Sequence, residues 1–169
     1  MLKLFMSGLL LALSSLSVAE ALDGSHYYIT GKIAEYTQVF DRCNQIPESR
    51  ELPSKKIIAK LSDCNQRDIE RLLISKAALL RQECEKPALM ELAYAILMTE
   101  NEELQQQTRE AISAIKVLAF SGDIRKFQAI YQSVPADIRQ MLEGIDYFDR
   151  LFNDRKLLEA IRMVDATSS

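Results

Sequence analysis

Three cysteines and one histidine, Cys43, Cys64, Cys84 and His26, are the side chains in this sequence best suited to covalent, metal or acid–base chemistry. One imidazole is little to build on. A Ser-His-Asp or Cys-His centre would rest entirely on it, and a zinc site would lack the usual second ring. His26 lies in a short polar lead-in, Leu22 to Thr30, that shows no helical period, so it is expected to be exposed and inert. No Cys-x-x-Cys, His-Glu-x-x-His, Gly-x-Ser-x-Gly, phosphate-loop or dinucleotide glycine pattern occurs. Neither a metal nor a cofactor is expected.

Carboxylate pairs are the remaining catalytic option, one acid protonating a leaving group while the other attacks or stabilises. Glu102 with Glu103 and Asp146 with Asp149 are the candidates. Both pairs fall beside Lys or Arg on helical stretches, where solvated helix faces account for them. The chain has no Trp to stack a sugar and only five Gly from which to build cleft loops. A non-enzymatic protein is therefore expected, with a small envelope hydrolase using a carboxylate pair as the alternative.

What the cysteines do depends on where the protein resides. Lys3 is a short positive segment, Leu4 to Leu16 a leucine-rich apolar core, and Ser17-Val18-Ala19 places small residues where a signal peptidase cuts. Residues 1–19 thus read as a signal peptide, with an alternative cut after Ala21, and residues 20–169 as a single α-helical domain in the periplasm or secreted. No integral membrane segment is expected after cleavage. An oxidising compartment makes a disulfide the leading expectation. If Gln66 to Glu85 is one helix, Cys64 and Cys84 lie close to 30 Å apart at about 1.5 Å per residue, far beyond the roughly 7 Å between Cα atoms that a disulfide allows. Cys43 with Cys64 is the favoured pair and Cys43 with Cys84 the alternative. The favoured bridge leaves Cys84 spare, as a buried thiol or as a link between copies in a homo-oligomer.

These side chains must be held by helices. Ile29, Ile33, Tyr36, Phe40 and Cys43 recur at four, three, four and three residues, a helical stripe that Pro47 should end. Ser54 can cap a short helix carrying Ile57, Ile58 and Leu61, and a longer one should run from Gln66 to Glu85. Pro87 to Thr99 opens with a proline fit for a first helical turn and is apolar almost all round, so it reads as a separate, antiparallel helix surrounded by the others. Thr99-x-x-Glu102 matches a capping box and should start the next helix, whose stretch Ala111 to Phe120 is expected to be deeply buried. Further stripes follow Asp123 and Pro135, with a change of phase near Asn153 and Asp154. The fold class is all-α, an irregular antiparallel bundle of about seven helices with one disulfide.

With net charge −3 the chain has no basic patch for nucleic acid. Recognition of another protein is the function that remains, as an immunity or inhibitor protein or as an envelope adaptor or chaperone; a self-associating structural component is a further alternative. Tyr27, Tyr28 and Tyr147 are the candidate interface residues, since Tyr concentrates binding energy at interfaces. A Gln-rich, acidic strip from Glu100 to Glu110 is a second candidate.

Overall fold

The apolar stripe from Ile29 to Cys43 runs further in both directions than its spacing suggests. In a computed structural model describing residues 24–99, 104–120 and 123–168, it becomes α1, Gly24–Ser49. His26 extends the buried face of Ile29, Ile33, Tyr36 and Cys43 by one turn, so from Gly24 on the lead-in is helix and not loose chain. Pro47 occupies the last turn of α1 and the helix ends two residues on. The expected signal peptide and both cleavage points lie outside the described residues.

The described residues form seven α-helices and a 3-10 turn, with no strand. After α1 come α2 (Lys55–Ser62), α3 (Gln66–Met98), α4 (Gln106–Phe120), α5 (Asp123–Ser133), α6 (Ala136–Glu143), the 3-10 turn Asp146–Asp149, and α7 (Asp154–Ser168). Ser54 caps α2 as expected, its hydroxyl accepting from the Ile57 N–H at 3.4 Å. Asn65 and Asn153 cap α3 and α7, their side-chain oxygens accepting from Asp68 and Lys156 N–H groups at 3.2 and 2.9 Å. The phase change near Asn153 is thus a real helix start. None of these helices is long and apolar enough to cross a membrane.

Two expectations about α3 fail together. Pro87 does not open a new helix; it lies inside one helix of 33 residues, so there is no tight turn between antiparallel neighbours at that point. A proline in a helix interior removes one hydrogen bond and crowds the carbonyl four residues back, at about 3 kcal/mol. Buried residues on both sides, Leu73 and Ala77 before it and Leu92, Ala95 and Ile96 after it, offset that cost. Nor does Thr99 cap the following helix. Its hydroxyl donates backward to the Ala95 and Ile96 carbonyls at 2.9 and 3.3 Å and closes α3, while α4 begins only at Gln106 and Glu102 lies outside the described residues.

The continuous α3 also changes the disulfide. Contacts between α1 and α3 run Lys32 with Glu91, Tyr36 with Glu85, and Cys43 with Cys84, so the two helices are antiparallel as expected but in a different register. The bond joins Cys43 to Cys84, with Cα atoms 6.1 Å apart, and Cys64 is the free thiol. The favoured Cys43–Cys64 pairing assumed that the end of α1 lies beside the start of α3. It lies instead beside the middle, and the linker with α2 bridges the remaining length.

The chain divides into two compact units, Met1–Asp41 with Glu85–Ser121 and Arg42–Cys84 with Gly122–Ser169. In the first, Ile29, Ile33 and Tyr36 of α1 cluster with Leu92 and Ile96 of α3 and Ala111, Ile112 and Ile115 of α4. In the second, Leu61, Leu72, Leu73, Leu142, Phe148, Phe152, Leu157 and Ile161 form a larger core, with Phe148 and Phe152 edge to face at 5.2 Å. Arg50 pins the linker of that unit: its guanidinium donates to the Arg150 and Leu151 carbonyls at 2.9 and 2.8 Å and lies 4.0 Å over the Tyr147 ring.

Candidate interaction surface

Helix α3 is apolar around most of its last three turns, but α1 and α4 take up only one side of it. Leu92, Ala95 and Ile96 are buried. On the opposite side Met90, Tyr94, Leu97 and Met98 expose 64, 56, 67 and 59% of their surface. At about 100° per residue these four fall on one face roughly 100° wide. The stretch expected to be surrounded is therefore half buried and half presented, because among the described residues of the first unit only two helices, α1 and α4, pack against it. In the same way α4 buries Ala111, Ile112 and Ile115 and leaves Val117 exposed, not the continuous burial expected.

Next to Met90 the face is bordered by Glu91, whose carboxylate lies 3.7 Å from the Lys32 ammonium, and by the exposed Lys86 one turn earlier. Lys32 in turn donates to Glu35 at 2.9 Å, and that hydrogen bond, opposed by burial and reinforced by the charges of Glu35 and Glu91, holds its ammonium above the usual range. Four contiguous apolar side chains, with the neighbouring Glu91 paired to Lys32, make a surface for apolar contact. Two thioethers let it adapt to the shape of what it meets, and the phenol gives it one polar handle.

Tyr27 and Tyr28 belong to the same unit, on the first turns of α1, and are 73 and 40% exposed, consistent with a surface role. Tyr147 belongs to the other unit and is held as a structural pin. It lies under Arg50, donates to the Glu51 carbonyl at 3.1 Å and packs edge on to Phe148, and burial pushes its hydroxyl pKa up. Of the Gln-rich strip, residues 100–103 lie outside the described residues; Gln105, Gln106, Gln107, Arg109 and Glu110 are exposed, with Gln106 donating to Glu110 at 2.9 Å.

No protein-family model, curated protein or solved structure matches this chain.

Among the described residues, those with catalytic potential are not brought together. Glu102 and Glu103 lie outside the described residues, and Asp146 and Asp149 are exposed on the 3-10 turn. Among the described residues no three of His, Cys, Asp and Glu gather closely enough to hold a metal ion. His26 is buried and not exposed as expected, its Nδ1 3.0 Å from the Thr108 hydroxyl of α4. Free Cys64 is half-buried against Met141, 3.9 Å between sulfurs, and burial, then the charges of Asp63 and Asp137, push its thiol pKa up, away from the reactive thiolate. The link between copies expected of a spare cysteine would have to use this thiol, since Cys84 is bonded. The exposed side of α3 leaves no signal in the sequence, because an apolar residue reads the same whether or not a neighbouring helix covers it.

Proposed function

We propose that this chain is exported and works without catalysis, by binding another protein through the apolar face of α3. The observation that carries the reading is the contiguous exposure of Met90, Tyr94, Leu97 and Met98. Isolated exposed apolar residues are ordinary, but four on one helix face amount to roughly 500 Å², the size at which surface patches are commonly functional. The signal-like run Leu4 to Ala19 supports export, and a disulfide suits an oxidising compartment. An inhibitor or immunity protein and an envelope adaptor or chaperone are the two forms this role would take.

The test is capture from envelope and culture-supernatant fractions, with residues 20–169 as bait beside the same bait carrying Leu97→Glu. A protein retained in stoichiometric amount by the first and lost from the second is the expected result. Equal recovery by both baits, or nothing specific on either, would remove the α3 face from consideration.

A further inference from the structure

The exposed residues of α3 are spaced as a helix-pairing seam. Pro87, Met90, Tyr94 and Leu97 follow one another at three, four and three residues, the interval that brings one helix alongside another over successive turns. The order is also close to symmetric about Tyr94, with Met90 four residues before it and Leu97 three after. Turned end over end beside a copy of itself, the helix would bring Tyr94 to Tyr94 and each Met90 to the other copy's Leu97 and Met98. We infer that the α3 face pairs with a second copy of this chain, antiparallel, across a twofold axis passing beside Tyr94. The inference rests on the reading of that face as a docking surface and names its occupant in the isolated protein; a heterologous partner would then displace one copy.

Area and charge both allow this occupant. Two copies meeting on the four residues would bury roughly 1,000 Å² in total, at the lower bound of a specific association, so the dimer is weak and concentration-dependent. Like charges do not oppose it at the centre, because Glu91 is already paired with Lys32 in each copy. The twofold relation makes every apolar contact count twice, as an isologous interface does.

Light scattering after size exclusion, over a hundredfold range of concentration, should show a mass rising from monomer toward dimer. Met90→Glu with Leu97→Glu should move the midpoint at least about tenfold upward in concentration, with an unchanged circular dichroism spectrum and melting curve. A mass that stays monomeric throughout, or a dimer indifferent to the double substitution, overturns the inference. Orientation is read by oxidation in a Cys64→Ser background: Met90→Cys mixed with Leu97→Cys should cross-link faster than either alone. Faster self-linking of Met90→Cys would mean a parallel pair and reject the proposed axis. If the protein stays monomeric while Leu97→Glu still abolishes capture of a partner, self-pairing fails and the docking surface stands; if neither is seen, both fail.

Discussion

His26 would destabilise the first turn of α1 if Thr108 were not opposite it. A buried imidazole needs a partner for each nitrogen it cannot expose, and the Thr108 hydroxyl, itself fully buried, meets Nδ1 at 3.0 Å. Thr108→Val keeps the shape and removes the hydroxyl, so it should cost about 1–3 kcal/mol in urea unfolding, while Thr108→Ser costs less. Nothing in the sequence near His26 announces this, since its partner lies 82 residues away. Tyr36 is a second buried polar group with a readable consequence. Burial first, then the charge of Glu85 and the hydrogen bond it accepts, push the phenol pKa from 10.0 up to about 12. The native state therefore favours the neutral phenol, and that contribution is whole below pH 10. As pH rises from 10 to about 12 the unfolded chain gives up this proton while the native one keeps it, so stability falls across that window. Urea midpoints of Tyr36→Phe should decline less steeply there than those of the wild type; parallel curves would deny Tyr36 any part in the alkaline transition.

Element boundaries were legible where side-chain chemistry is local and lost where packing overrides it. Ser54 and the start at Asn153 could be read because a cap is a contact three residues long. Pro87 could not, because a proline suits a first helical turn and is also tolerated inside a helix whose flanking turns are buried. The same ambiguity hid the face of α3, where Leu92 and Leu97 look alike in sequence and differ completely in exposure. If α3 is one helix through Pro87, Pro87→Ala restores an internal hydrogen bond and should raise stability, by up to about 3 kcal/mol. A neutral or destabilising result would instead indicate a proline that starts a helix. Differential denaturation of the two proteins at one pH decides it.

At the scale of the molecule, the all-helical class, the approximate helix number and the presence of a bridge were all available from spacing and composition. Connectivity was not. Choosing between Cys64 and Cys84 as the partner of Cys43 requires the register of α1 on α3, and register is set by which turns of α3 the cluster of Ile29, Ile33 and Tyr36 occupies. Long-range packing decides that and leaves no trace in the local period. The division into two cores has the same origin: α3 carries one stripe that serves the second core through Ile69, Leu72, Leu73 and Ala77 and the first through Leu92 and Ile96.

The native bond passes over a cysteine, and that has a kinetic price during oxidation. Cys64 stands between Cys43 and Cys84, so a chain threaded outward from its N-terminus exposes Cys64 to Cys43 before the native partner has emerged. Even in free solution the shorter loop, about half the native length, closes with roughly 0.6 kcal/mol less entropic cost. Oxidative refolding from the reduced, unfolded state should thus populate a Cys43–Cys64 species first, which thiol exchange converts to the native pair. Acid-quenched samples, mapped by peptide mass without reduction, should show it rise and fall; Cys64→Ser should reach the native bond without the delay. A native pair formed first in the wild type would mean that α1 docks on α3 before any sulfur reacts.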